Sequence, residues 1–412
     1  MLLFYRFVIA GYYFLILLSS PFNQKAKLWI RGRKNIFNRI KASVNPNDKT
    51  AWFHCASLGE FEQGRPLIEA FREKYPGHKI LLTFYSPSGY EVRKNYEKAD
   101  YIFYLPLDTP VNAKRFLNIV NPEIVFFIKY EFWYYLIKET GKRGIPLYLV
   151  SGIFREKQLF FKWYGKPFRL MLENFTHFFV QNKTSEKLLK SVGINNTTIT
   201  GDTRFDRVFS IAQQSKILPL AERFKQNNRV LILGSSWQPD EEIVLTYYNQ
   251  NKNLFKLIIA PHEIENENIN RIIKSVLPGK KVLKYSEANE SNIELADILI
   301  IDSIGLLSSL YKYGDIAYIG GGFGKGIHNI LEAATFGLPV VFGPNYKKFQ
   351  EAVDLIEQGG AFTISDYTDF KNILDNTLSN PEKLKRTGKV SSDYVEYNKG
   401  ATFKILNTLR IA

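Results

Sequence analysis

Cysteine is nearly absent: Cys55 is the only one in 412 residues. That excludes a disulfide framework and a thiolate metal cluster, and it fits a reducing compartment. Histidine is scarce as well, with five in the chain, so no His-rich metal motif is visible. No D-x-D triplet occurs anywhere, so the motif that commonly holds a divalent ion on a diphosphate is missing. Low-complexity tracts and repeats of fixed period are absent too. Acidic residues are outnumbered, 40 against 55 basic ones, for a formal charge of +15. Such an excess calls for an anionic partner: nucleic acid, anionic lipid or a phosphorylated substrate. The remaining balance, 45% hydrophobic and 23% charged, is that of a globular chain long enough for two cores.

The one long apolar run lies at the amino terminus. Leu2 to Leu18 is broken only by Arg6 and Gly11, and a basic flank follows (Lys25, Lys27, Arg31, Arg33, Lys34, Arg39, Lys41, Lys49) with a single acid, Asp48. A cleaved signal peptide would carry its basic residue before the run, and Ser19-Ser20-Pro21 is a poor cleavage site. An uncleaved anchor over residues 1–20 is expected, as a tilted span or a helix lying in the interface. The basic flank would hold the next domain at the anionic cytoplasmic leaflet. The segment Ile153 to Phe175, with Arg155, Lys157, Lys162, Lys166 and Arg169 among aromatics, reads as helix-like. It suits a lipid interface better than single-stranded nucleic acid, so no nucleic-acid partner is expected.

From Thr50 onward strands and helices alternate, which implies βαβ units. A polar stretch breaks the rhythm, and a second series then begins at Arg229. The expected division is an amino-terminal domain over 21–208, a linker over 209–228, a nucleotide domain over 229–390, and a segment over 391–412 (helical from Ser391 to Ile411) that packs back on the first domain. Two doubly wound Rossmann-like domains facing each other across a cleft make the α/β GT-B architecture of many glycosyltransferases.

The stretch Ile316 to Pro344 reads as strand, glycine run (Gly320, Gly321, Gly322, Gly324, Gly326), helix and strand. Lys325 is followed by Gly326 rather than Ser or Thr, so this is not a Walker loop. The spacing predicts a helix whose first turn holds His328, Asn329 and Glu332. Its amides would take a phosphate and Glu332 the ribose hydroxyls, against the plainer reading of a packed turn. Other strand ends add Ser235-Ser236, Pro261-His262, and Asp302-Ser303 ahead of a helix from Ile304, with Ser303 as its cap and the amides of Ile304, Gly305 and Leu306 outward.

Two carboxylates stand out in the first series. Glu60 follows the strand Ala51 to Ala56 and reads either as a helix cap or as a base. Glu131 follows Ile124 to Ile128, where a buried carboxylate needs a partner or a task. Arg204, in Gly201-Asp202-Thr203-Arg204-Phe205-Asp206, offers a planar fork to phosphate, or a salt bridge to Asp202 or Asp206.

Taken together, FHCASLGE (Phe53 to Glu60), YEFW (Tyr130 to Trp133), GDTRFD (Gly201 to Asp206), GSSW (Gly234 to Trp237) and IHNILEAA (Ile327 to Ala334) resemble the 3-deoxy-D-manno-octulosonic acid (Kdo) transferases, over nearly the whole chain. The resemblance implies a metal-independent, inverting transfer of Kdo from CMP-Kdo to the lipid A precursor, with no cofactor, in lipopolysaccharide biosynthesis. It makes Glu60 the general base and gives Glu131 and Arg204 assisting roles. It maps CMP contacts onto Pro261 and His262, onto Ile304, Gly305 and Leu306, and onto Asn329, Ile330, Leu331 and Glu332. The chain departs from the pattern at Pro261-His262-Glu263, where Pro-Arg-His is usual, and at Ser151-Gly152-Ile153, where Asn-Ala-Arg is usual. Lys325 is the candidate replacement for the missing arginine. A nucleotide-sugar 2-epimerase of the same architecture is the alternative.

Overall fold

Strands that are apolar on both faces must be covered on both faces, and this chain builds two sheets of that kind. The computed structural model describes residues 2–251 and 254–409. One unit runs to Arg207 and takes the chain up again at Lys399; the other is Val208–Asn398.

The first sheet contains β1 (Thr50–Cys55), β2 (Lys79–Phe84), β3 (Tyr101–Tyr104), β4 (Ile124–Ile128), β5 (Leu147–Gly152), β6 (His177–Val180) and β7 (Thr197–Ile199). Their order is β3-β2-β1-β4-β5-β6-β7, with all neighbours parallel. Side chains alternate along a strand, so Trp52 and His54 share one face of β1 while Phe53 and Cys55 share the other. Phe53 stacks on Phe126 at 4.6 Å, Phe126 on Tyr148 at 5.5 Å and Tyr148 on Phe179 at 5.9 Å. This aromatic row crosses four strands, and each buried ring contributes about 1.5–3 kcal/mol.

The second sheet contains β8 (Val230–Ser236), β9 (Lys256–Pro261), β10 (Val282–Lys284), β11 (Ile298–Ile300), β12 (Ile316–Ile319), β13 (Val340–Phe342) and β14 (Ala361–Thr363). The order β10-β11-β9-β8-β12-β13-β14 is again fully parallel.

Several expectations need correction. Residues 209–228 are not a linker: they belong to the second unit, where Ala221 and Phe224 are buried and the Leu218 amide donates to the Tyr313 hydroxyl at 2.8 Å. The second unit also runs past residue 390, to Asn398. Helix Pro381–Asn398 ends there, Gly400 turns the chain at φ +100°, and helix Ala401–Thr408 joins the first unit. Met1 and, beyond the second of these helices, Arg410, Ile411 and Ala412 lie outside the described residues.

The segment Ile153 to Phe175 is not one helix. A single turn at Leu159–Phe161 precedes a short helix, Lys166–Leu172, because Pro167 can start a helix but not sit inside one. Phe154 and Phe160 are core residues there, while Trp163 is 88% exposed.

The amino-terminal run does form a helix, α1 (Leu2–Ser19), followed by α2 (Gln24–Arg33). Among the described residues no helix is long and apolar enough to cross a membrane, so the spanning form of the anchor is not supported. Tyr5 and Arg6 fasten α1 to the first unit, the Tyr5 hydroxyl donating to Asp108 Oδ2 at 2.6 Å and Arg6 Nε to the Tyr135 hydroxyl at 2.8 Å.

Candidate active site

In each sheet the chain direction of travel reverses between two central strands, β1 and β4 in the first and β8 and β12 in the second. Open α/β sheets bind ligands beyond the carboxyl ends of such a pair. The candidate residues of each unit collect there. Three non-glycine residues with positive φ stand at strand ends of the two sheets: Lys129 (71°), Ser151 (52°) and Ser235 (51°). Backbone of this kind costs on the order of 1–3 kcal/mol and gathers at working sites.

Beyond β1, helix Leu58–Lys74 carries Glu60 in its first turn. Ser57 is the cap residue but gives its side chain to no helix amide. Instead its hydroxyl donates to Glu60 Oε2. Glu60 thus stands in the first turn, where either reading puts it, and its carboxylate takes a hydroxyl rather than a backbone N–H. Glu131, just past β4, is 6% exposed and has the partners its burial demands: Trp133 Nε1 donates to Oε2 at 2.6 Å, and His54 Nε2 lies 3.0 Å from the same oxygen. Both carboxylates act on Cys55 at the end of β1, whose thiol is pushed up by burial and then by the charges of Glu60, Glu131 and Glu62.

Arg204 forms the salt bridge weighed from the sequence. Its Nη2 and Nε reach Asp202 Oδ2 at 2.7 and 2.9 Å. Asp202 is buried, so this is not a surface pair. Burial works to raise the Asp202 carboxyl, yet the charge of Arg204 and hydrogen bonds from Arg204 and Gln63 hold it below the usual range. Gln63 Nε2 donates to Asp202 Oδ1 at 2.7 Å. Thr203 Oγ1 donates to the Gln63 carbonyl and meets Ser151 Oγ at 3.0 Å. Ser151, one of the departures from the family pattern, thus anchors the start of the helix Thr203–Gln213 that carries Arg204 rather than facing outward.

In the second unit the glycine run serves packing first. A Cβ on Gly320 would meet the Ser235 carbonyl at 2.4 Å, and one on Gly322 would meet Gly343 at 2.6 Å. Buried Asp240 ties the run to the helix after β8, accepting at Oδ2 from the Trp237 and Gly321 amides, each at 3.0 Å, and at Oδ1 from the Tyr318 hydroxyl at 3.0 Å. The run is nevertheless open on one side. Gly321, Phe323, Gly324, Lys325, Gly326 and His328 line a cavity of ≈510 Å³ together with Trp237. His262, Trp237 and His328 form a stack, with ring centroids 4.6 Å apart for Trp237–His262 and 4.5 Å for His262–His328. Burial, then the neighbouring His262, lowers the His328 imidazole to about 4.

The two helix starts differ from expectation. Leu331–Ala334 is a single turn, so His328 and Asn329 precede it and Ile330 is its cap residue. Asn329 Oδ1 already accepts from the Leu331 amide at 3.2 Å, which removes one of the amides meant for an anion. Glu332 does sit in that turn, taking Ser308 Oγ at 2.7 Å on Oε2 and Asn329 Nδ2 at 3.0 Å on Oε1. The other helix begins at Leu307, not Ile304. Gly305 takes φ +92°, which breaks the turn before a helix can form. Ile304 is 90% exposed, and the Ser303 hydroxyl is buried with no hydrogen-bond partner among the described residues. Pro261 ends β9, beside exposed His262.

Sequence reasoning overlooked His54, Gln63 and Asp240. His54 left one signal, a polar side chain inside the apolar strand Ala51 to Ala56; Gln63 and Asp240 left none, each being one polar residue of an ordinary helix.

Two fully parallel seven-stranded sheets, each with polar side chains gathered at its reversal point, define a two-unit α/β protein of the GT-B kind. Solved structures agree on the fold. UDP-GlcNAc 2-epimerase from Neisseria meningitidis bound to UDP-GlcNAc superimposes with a TM-score of 0.61 at 17% identity, over 87% of this chain and 99% of that one. A similar protein from Listeria monocytogenes gives 0.61 at 15%, over 87% and 95%. Sequence decides the family. The model for 3-deoxy-D-manno-octulosonic-acid transferase (kdotransferase) matches residues 31–207. The 3-deoxy-D-manno-octulosonic acid transferase of Rickettsia bellii is 30% identical over 84% of both chains, and that of Aquifex aeolicus 29% identical over 86% of this chain and 94% of its own. The chain belongs to the 3-deoxy-D-manno-octulosonic acid transferase family and is a glycosyltransferase.

Proposed function

We propose that this enzyme moves Kdo from CMP-Kdo to the lipid A precursor, by inverting displacement at the anomeric carbon, with Glu60 as general base. The observation that carries the reading is the pair of carboxylates at the reversal point of the first sheet, one on a hydroxyl and one locked in a buried polar cluster. Such different surroundings suit different tasks. Glu60 takes the acceptor proton as the new bond forms. Glu131 stays in place and meets the positive charge that develops on the sugar. Arg204, steadied by Asp202, complements the departing anion. CMP leaves with one phosphate, which needs no divalent ion to stabilise it.

The donor nucleotide is assigned to the second unit, its ribose on Glu332 and its base and phosphate near Pro261, His262, Asn329 and the segment Ile304–Leu306. The buried, unpartnered Ser303 hydroxyl and Lys325 on the cavity wall favour that assignment, Lys325 supplying the cation that Pro261-His262-Glu263 lacks.

The acceptor is a lipid, and α1 is assigned a place in the inner-membrane interface, on the cytoplasmic side. Phe7, Phe14 and Leu15 are 75%, 57% and 65% exposed. Beside α1 a cavity of ≈630 Å³ is lined by Arg31, Arg33, Lys34 and Arg115 and by no acidic residue. Arg33 is spent inside the unit, donating to the carbonyls of Leu105 at 2.9 Å and Tyr85 at 2.8 Å, so Arg31, Lys34 and Arg115 are the cations assigned to an anionic headgroup. Incubating the protein with CMP-Kdo and the lipid A precursor and weighing the lipid by mass spectrometry tests the reading. A product heavier by one or more Kdo residues supports it. An unchanged lipid, with interconversion of a UDP-sugar epimer pair instead, would favour the epimerase.

A further inference from the structure

The polar cluster around Glu131 runs deeper into the sheet than the chemistry of one carboxylate requires. His54 and Thr83 are wholly buried. They lie side by side because β1 and β2 pair in parallel with His54 opposite Thr83. Trp52 shares the His54 face, two residues back, and its Nε1 donates to Thr83 Oγ1 at 2.8 Å. His54 Nδ1 lies 2.9 Å from Thr83 Oγ1 and 3.1 Å from the Thr83 carbonyl. On the other side of the ring, Nε2 lies 3.0 Å from Glu131 Oε2.

Counting protons along this row leaves two patterns for a ring that carries one proton. Thr83 Oγ1 receives the Trp52 indole proton, so its own proton must go elsewhere. The acceptors in reach are His54 Nδ1 at 2.9 Å and the Phe53 carbonyl at 3.5 Å. The shorter choice makes Nδ1 an acceptor and puts the ring proton on Nε2, aimed at Glu131. Trp133 Nε1 donates to the same carboxylate oxygen at 2.6 Å. Every polar atom in the row is then satisfied. The other pattern places the ring proton on Nδ1, toward the Thr83 carbonyl. Nε2 is then bare and can take the Trp133 indole proton from 3.0 Å, but that proton lies closer to Glu131 Oε2, at 2.6 Å, and Nε2 would face Oε2 at 3.0 Å with no proton between them.

We infer that His54 is a positioning residue, fixed by Thr83 with its ring proton on Nε2, whose N–H holds the Glu131 carboxylate in place. This deepens the proposed reaction, because a carboxylate that meets developing positive charge has to be held in position before the substrate arrives, and it rests on that reading for its catalytic consequence. The tautomer itself does not depend on it.

The test therefore has two arms. In the first, histidine-labelled full-length protein without substrate is examined by long-range proton–nitrogen NMR, the His54 signals being those lost in His54→Gln among only five histidines. A protonated Nε2 with a bare Nδ1 at neutral pH is expected, and Thr83→Val should move the proton to Nδ1. A proton on Nδ1 in the wild type, or an imidazolium, overturns the inference even if the protein transfers Kdo as proposed. The second arm is kinetic. His54→Phe, which has no donor, should lose roughly 100-fold in kcat, the scale on which misplacing a reacting group acts, with donor KM unchanged. His54→Gln, whose amide N–H reaches toward Glu131, should recover most of that loss. Equal loss in both variants, or loss through KM alone, would make His54 a packing residue and end the argument. A protein inactive with CMP-Kdo in every form would refute the proposed reaction and leave the NMR outcome to decide the tautomer.

Discussion

Replacing Glu60 by Gln separates a catalytic carboxylate from a structural one, because the two roles differ in scale. The side chain keeps its shape, and its remaining oxygen can still accept from Ser57, the one hydrogen bond that the carboxylate makes with Ser57 Oγ. What is lost is the capacity to take a proton. A general base typically contributes 10²–10⁴-fold, or about 2.7–5.4 kcal/mol at ~1.36 kcal/mol per decade. On the structural side, Glu60 touches no helix amide, so only its charge near the helix start is removed, at a cost of about 0.3–1 kcal/mol. In a unit of this size that moves Tm by about 2–4 °C or less. The assay is initial-rate Kdo transfer at saturating donor, with CMP binding and thermal unfolding run alongside. Expected is a fall in kcat of two to four decades on the ~10²–10⁴ scale, with CMP affinity and Tm nearly unchanged. A variant that transfers Kdo close to the wild-type rate would refute the mechanism, and one that loses stability but not rate would restore the capping role.

Glu332→Ala should raise the KM for CMP-Kdo by one to two decades, since hydrogen bonds from hydroxyls to a carboxylate are worth roughly 1.5–3 kcal/mol; wild-type donor affinity would displace the nucleotide from Glu332. His328 is held at about 4 against an ordinary 6.5, so the unfolded chain binds its proton more readily than the folded one. The stability tied to the neutral ring is then complete above pH 6.5 and is lost as pH falls toward about 4. Thermal unfolding across that window should show a gentler acid decline in His328→Gln than in wild type, and parallel curves would contradict the burial argument. Replacing Phe7, Phe14 and Leu15 together by Ser should weaken binding to anionic vesicles while leaving Tm in place, because these side chains are exposed; undiminished binding would take α1 out of the interface.

The alternation of apolar strands with helices was legible because burial on both faces writes itself as continuous apolar runs, and Glu60 and Glu131 were found by their place at the ends of two of those runs. What stayed hidden was set by partners distant in the chain. Nothing near Arg204 announces that Asp202 is buried beneath Gln63, and nothing near Glu131 announces His54. Helix starts were misplaced where backbone conformation outranked composition. Gly305 at φ +92° delays the helix expected at Ile304, and Asn329 spends its side chain on the Leu331 amide. The aromatic segment Ile153 to Phe175 looked interfacial because clusters of rings are equally at home in a core, and Phe154 and Phe160 are core.

The path of the carboxyl-terminal segment bears on how the protein is made. Asp206, where the chain leaves the first unit, accepts hydrogen bonds from the amides of Gly400 and, at 2.7 Å, Thr402, where it comes back. Ile405, Leu406 and Leu409 then share a core with Phe61 and Leu67 on the helix that carries Glu60. The second unit is therefore an insertion into the first. During synthesis the strands β1 to β7 emerge early, but the apolar back of the Glu60 helix stays uncovered until residues 401–409 exist. A nascent chain halted before Lys399 exposes that surface, however complete its second unit. The packing behind Glu60 is thus completed by residues that follow the whole second unit, and the first unit cannot close its own core until that unit has been made.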